Sequence, residues 1–106
     1  MNKFQNELVK GNFVISKCVK CNKNVWPAND FCDNCFSEVT WVSGSRSARI
    51  IEYSKQNNDW FCLVETDDHI RMLGKLKSNI TPKIGEKILL DECFFDNKPH
   101  FNFKKI

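Results

Sequence analysis

The chain has 106 residues, 42% of them hydrophobic and 27% charged, and carries a net charge of +3. That length allows one ordinary domain, or a small metal-stabilised module beside one compact barrel, and excludes a large enzyme with its own deep cleft. The charge excess is spread evenly, five lysines against four acids over residues 1–44 and eleven bases against nine acids over residues 45–106. The footprint of a strong nucleic-acid binder is therefore missing.

No apolar run of about 18 residues is present to span a bilayer, and the opening Met1-Asn2-Lys3-Phe4-Gln5 leads into no secretory-type apolar stretch. The expectation is a cytoplasmic protein with no membrane attachment. The first predicted element is a short helix within residues 1–12. Phe4, Leu8 and Val9 fall on one helical face, Asn2 is placed to cap the start and Gly11 to end it. So short a helix is marginal in water, and its apolar stripe must dock on the domain or on a partner.

Next, over residues 13–43, comes a segment with Cys18, Cys21, Cys32 and Cys35, two pairs each separated by two residues, set among Asn, Lys, Asp and Pro. Such composition describes turns, which a metal must organise. In a reducing compartment paired Cys-x-x-Cys units are thiolate ligands rather than disulfide halves. Four sulfurs complete a tetrahedral shell and leave no position for water or substrate, which predicts one closed, structural Zn²⁺ site. A rubredoxin-type iron centre is the competing metal. Asn22, after the second cysteine, tolerates the positive φ that such a knuckle often needs. Phe36, at the matching place after Cys35, does not, so the second knuckle is expected to be less regular, with the Phe36 ring packed away. Trp26-Pro27 is expected to form the small apolar centre of the ribbon.

From Val39 the pattern becomes period-two runs separated by turn signals, the mark of short antiparallel strands. The candidates are Val39–Val42, Ala48–Ser54, Trp60–Thr66, His69–Leu76, Lys87–Phe95 and His100–Lys104. Asp67-Asp68 and Asp96-Asn97-Lys98-Pro99 supply hairpin turns, and Gly74 marks a bulge or bend. Five or six such strands, centred on residues 44–106, fit a small barrel, with the OB-fold the first choice and an SH3-like barrel the second. The fold class is mainly β.

Cys62 and Cys93 sit among apolar strand neighbours, as inert small hydrophobes do. His69 and His100 stand at strand starts without an orienting carboxylate, and the four glycines are isolated, so there is neither a nucleophile–base pair nor a phosphate loop. No catalytic residues are assigned.

Taken in order, Gly11, Cys18, Cys21, Trp26-Pro27, Cys32, Cys35, Trp41 and Ser43-Gly44 make the whole chain resemble the thirty-fifth numbered family of domains of unknown function. In that family a rubredoxin-like zinc ribbon precedes an OB-fold. Family members commonly have glycine where this chain has Asn22 and Phe36, and a second glycine soon after the Ser43-Gly44 turn, where this chain has Ser45-Arg46-Ser47. The resemblance implies a non-catalytic accessory subunit that holds or passes CoA thioesters for a thiolase-like or ketoacyl-synthase-like enzyme. Arg46 and Arg49, with Trp41, offer cations and an apolar wall for such a ligand. The reading from a different class is a single-stranded nucleic-acid binder, since OB barrels and zinc ribbons also serve that purpose.

Overall fold

In the computed structural model, which describes residues 2–106, the helix α1 runs from Lys3 to Val9. Its first turn is closed by a reciprocal capping box. The Gln5 amide donates to Asn2 Oδ1 at 2.8 Å and the Asn2 amide donates to Gln5 Oε1 at 3.1 Å. Its end is a Schellman turn, in which Gly11, at φ 81°, lets its own amide reach the Leu8 carbonyl and the Asn12 amide reach the Glu7 carbonyl. Phe4 and Leu8 are buried, while Val9 is exposed and leaves the apolar stripe narrower than its spacing suggested. The Asn12 amide group, with Lys3, holds the Glu7 carboxyl below the usual carboxylate range.

Two sheets follow. The first is three-stranded, ordered β2-β1-β3, from β1 (Val14–Cys18), β2 (Asn24–Val25) and β3 (Val39–Ser43). The strands β1 and β2 lie in stretches read from composition as connections, and β3 pairs with β1 along its whole length, from Val14↔Ser43 to Cys18↔Val39. Trp41 therefore belongs to the ribbon sheet and not to the barrel.

The second sheet is a closed five-stranded barrel of β4 (Ser47–Gln56), β5 (Asp59–Thr66), β6 (Arg71–Leu76), β7 (Lys87–Phe95) and β8 (Pro99–Lys105), ordered β4-β5-β6-β8-β7. All pairings are antiparallel except β6–β8, which is parallel and limited to Lys75↔Asn102 and Leu76↔Phe103. This order, closed by one short parallel seam, is that of an OB-fold. Register shifts at Ile50/Glu52 in β4 and Leu90/Glu92 in β7 bend the two longest strands around the barrel. Gly74 marks no bulge. It pairs regularly with Cys62, and a Cβ there would collide with the Phe101 carbonyl, so glycine is what lets β8 close against β6.

One hydrophobic core joins the parts. Phe4 and Leu8 of the helix, Phe13 of the connection and Ile15 of β1 bury together with Ile50, Val64, Met72, Ile88, Leu90 and Phe103 of the barrel. Trp26 sits at this junction, edge-on to Phe4 and Phe13 with centroids 5.5 and 6.2 Å away, and its Nε1 donates to the Arg71 carbonyl at 3.0 Å. The expected ribbon centre at Trp26 is thus corrected: the indole needs an acceptor for its N–H and finds it on the barrel, while Val25 takes the central place between Cys18 and Cys32. The β5–β6 turn adds a second tie, since the Asp68 carbonyl accepts from Asn24 Nδ2 at 3.0 Å and its carboxylate accepts from the Ser45 amide at 2.6 Å.

Candidate metal centre and barrel groove

Cys18 ends β1, Cys21 closes the turn that follows, and Cys32 and Cys35 form the second turn before β3. The turns bring all four sulfurs within 4.8 Å of one another, with Cys35 Sγ 3.4 Å from Cys18 Sγ and 3.3 Å from Cys21 Sγ. Cys18 and Cys32 are buried, and Cys21 and Cys35 are partly exposed.

The two knuckles repeat one hydrogen-bond pattern. The Asn22 amide donates to the Cys18 carbonyl at 3.0 Å and the Cys18 amide to the Lys23 carbonyl at 2.8 Å. Likewise Phe36 donates to Cys32 and Cys32 donates to Ser37, each at 2.9 Å. Asn22 and Phe36 both sit at φ 59°, so the expectation of a less regular second knuckle is overturned. The hydrogen bonds of the turn outweigh the cost of about 1–2 kcal/mol for a side chain in this conformation. The Phe36 ring is not packed away but 78% exposed.

Amide donors approach the sulfurs as they do around thiolates, the Cys21 amide to Cys18 Sγ at 3.2 Å and the Asn34 amide to Cys32 Sγ at 3.4 Å. As a bare thiol, Cys35 is drawn down to about 6 by the hydroxyl and amide of Ser37, and Cys21 is pushed up to about 11 by its hydrogen bond to Cys35. Sulfurs this crowded share protons unequally until a cation draws all four into the ionised form. An all-sulfur, four-donor cluster suits zinc in a closed structural site and has the donor chemistry for it.

The remaining expected residues do not converge. Arg46 is occupied by backbone, its guanidinium donating to the carbonyls of Leu90 at 3.2 Å, Asp91 at 3.3 Å and Gly11 at 3.2 Å. It clasps the β7 bulge to the end of α1, which corrects its assignment as a free phosphate cation. Arg46 and Trp41 line one small cleft between helix and ribbon, but Arg49 lies outside it, paired across β4 with Glu65 and Lys87. Cys62 and Cys93 are buried, and burial pushes the Cys62 thiol up to about 11 and raises that of Cys93. His69 is not in a strand. It stands at φ 62° in the β5–β6 turn, donating its amide to the Thr66 carbonyl at 2.9 Å, while His100 stacks on Phe94 with centroids 4.6 Å apart.

A groove of about 850 Å³ runs along the β6–β8 seam, where strand pairing is short, and was not legible in the sequence. Phe61, Leu73, Phe94 and His100 line it, with Lys75, Lys77 and Lys98 around them. Lys75 is held 5.8 Å from the Phe61 ring centroid and 3.8 Å from Asp59. Among the described residues no helix is long and apolar enough to cross a membrane.

Residues 6–40 match the family model of the ChsH2 rubredoxin-like zinc ribbon domain, a span that contains all four clustered cysteines. No curated protein sequence matches the chain. Among solved structures, the Ltp2-ChsH2(DUF35) aldolase is similar with a TM-score of 0.78 at 18% identity, covering 99% of this chain and 96% of that one. A DUF35-family protein of unknown function from Sulfolobus solfataricus is similar with a TM-score of 0.70 at 21% identity, over 98% of this chain and 83% of that one. The front third of the chain is thus similar to the ChsH2 rubredoxin-like zinc ribbon, its four cysteines marking the site of one structural zinc ion, and the whole chain shares the fold of these two solved structures.

Proposed function

We propose that this chain is a non-catalytic accessory subunit, with Cys18, Cys21, Cys32 and Cys35 as ligands of one structural zinc ion, that holds or presents CoA thioesters to a thiolase-like or ketoacyl-synthase-like enzyme in the cytoplasm. The observation that carries this reading is the likeness, over nearly the whole length of both chains, to the Ltp2-ChsH2(DUF35) aldolase, a protein whose name joins two components. The chemistry of the metal centre agrees with it. Four thiolates fill a tetrahedral shell, so the ion supplies folding energy and no Lewis acid. The test is co-expression with thiolase-like enzymes from the same genome: a stoichiometric complex that binds a CoA thioester, and no turnover by the isolated chain, is the expected result. Failure of such enzymes to form any complex with the zinc-loaded chain defeats the proposal.

One observation favours a second reading, single-stranded nucleic-acid binding. The groove at the β6–β8 seam combines ring faces at Phe61, Phe94 and His100 with Lys75, Lys77 and Lys98, the pairing of stacking surface and cation used for bases and phosphates. The modest net charge of +3 weighs against it. Salt-dependent binding of a labelled oligonucleotide at low ionic strength decides the matter, since a phosphate-tracking site loses affinity steeply as salt rises.

A further inference from the structure

The ribbon tip carries charges sorted by sign. The first knuckle and its flanks hold Lys17, Lys20 and Lys23, with no acid between Glu7 and Asp30. The second holds Asp30, Asp33 and Glu38, with no base between Lys23 and Arg46. Among the described residues none of these six forms an ion pair. Among these charges stand exposed apolar side chains, Val19 at 61% beside the bases, and Phe31 at 54% and Phe36 at 78% beside the acids. Backbone pairing brings two of the three to one residue of the second knuckle: the Val19 amide donates to the Glu38 carbonyl at 3.2 Å, and Phe31 is bridged to Glu38, two residues from Phe36 in the chain.

Phe36 is the telling residue. Its backbone, at φ 59°, is one that glycine adopts without strain, and its ring touches too little of the chain to offset the cost. The knuckle alone gives no reason for a phenylalanine here. A strained backbone that holds an aromatic ring out into solvent, in a turn flanked by the unpaired Asp33 and Glu38, has the composition of a docking centre rather than of a surface.

We infer that the ribbon tip is a self-complementary surface on which a second copy of this chain docks about a two-fold axis. The argument for a second copy is the charge pattern itself. A two-fold rotation through the apolar centre sets the basic knuckle of each copy against the acidic knuckle of the other, so both charge sets find partners at once. The reading is independent of the accessory role proposed above.

The experiment is sedimentation of the zinc-loaded chain over a concentration series, with one equivalent of zinc verified for every variant. The wild type is expected to approach twice its 12.4 kDa mass at high concentration, and to dissociate as salt rises toward 1 M, where screening acts within about 3 Å. F36G is expected to keep its zinc and lose at least about tenfold in association, as removal of a central aromatic does. The decisive arm mixes two charge-reversed chains. K20E/K23E has two acidic knuckles and D30K/D33K has two basic ones, so each alone is expected to be monomeric and an equimolar mixture to re-form the dimer. A wild type that stays monomeric to about 1 mM, the limit of a weak specific contact, overturns the inference. So does a mixture that fails to associate although both chains hold zinc. If F36G instead weakens capture by a thiolase-like enzyme while the wild-type chain is a monomer, the surface belongs to that enzyme and the second-copy assignment fails.

Discussion

Asn22 and Phe36 hold the same backbone shape, φ 59° at each, one turn of chain past Cys18 and past Cys32. The likeness extends to the amide bonds that close both turns, so the ribbon is two copies of one local structure facing each other across four sulfurs. The residue types differ because Asn meets the left-handed region at little cost and Phe does not.

The first prediction tests that cost. Phe36→Gly should leave the zinc-loaded fold intact and raise its unfolding free energy by up to about 1 kcal/mol, the strain relieved less the added flexibility of glycine in the unfolded chain. Phe36→Val should lower it by about 1 kcal/mol or more, because a β-branched side chain is the worst occupant of this conformation. Urea titration of both variants measures the difference.

Metal affinity should fall as pH falls. Zinc takes thiolates, so every sulfur that is protonated in the free ribbon must release its proton on binding. Cys21, pushed up to about 11, holds its proton through the neutral range, and Cys35, drawn down to about 6, begins to compete only below that value. Between pH 8 and pH 6 the apparent zinc affinity should therefore weaken by at least about tenfold per pH unit. A competitive chelator titration at several pH values reads this slope, and a flat profile contradicts the assignment.

The two barrel cysteines should resist modification. With its thiol pushed up to about 11, Cys62 is neutral and buried at pH 8, so iodoacetamide should not label it or Cys93 in the zinc-loaded protein. After chelation the four ribbon sulfurs should react first. The raised folded value also fixes a sign: the buried neutral thiol contributes its stability below about 9 and loses it as pH rises through about 11. Cys62→Ala should flatten the alkaline fall of the unfolding midpoint across that window.

Gly74→Ala should open the seam. The added methyl meets the Phe101 carbonyl, a backbone atom that cannot swing aside, so β8 must shift from β6. A loss of about 2–3 kcal/mol is expected, in line with overpacking at a closed contact. Hydrogen exchange should show the loss first in the short pairing of Leu76 with Phe103.

Arg46→Ala should reduce stability rather than ligand affinity. Its guanidinium satisfies three carbonyls, of Leu90, Asp91 and Gly11, and removing it leaves them to solvent while unpinning α1 from the β7 bulge. A loss of about 2 kcal/mol fits charge-assisted bonds that are partly exposed. If the proposed complex with a thiolase-like enzyme binds a CoA thioester, that affinity should be unchanged in this variant.

Much of this arrangement was legible in the chain alone. Cysteine spacing located the metal centre because two-residue spacers can satisfy only a few geometries. Alternation placed Lys87–Phe95 as the strand β7 that is observed, and Asn2 and Gly11 marked the helix ends through chemistry local to each. What escaped was set at a distance. β2 is too short to show a period and β1 does not alternate, since Ile15 and Ser16 are both buried, so the two are strands because they pair across the ribbon. Trp26 was misplaced because its N–H acceptor, the Arg71 carbonyl, lies 45 residues away. The conformation of Phe36 is set by the closing bonds of the turn, which outweigh the preference of its residue type. The groove arises from two strands that part after a short parallel contact, which no local pattern encodes.

Ile15, on the strand that ends at Cys18, and Phe13, just before it, are walled in by the barrel as much as by the ribbon. A cell starved of zinc would therefore not accumulate a trimmed, serviceable barrel. It would hold a molecule with its floor open, recognisable to chaperones and proteases, so that the abundance of this chain follows the supply of one trace element.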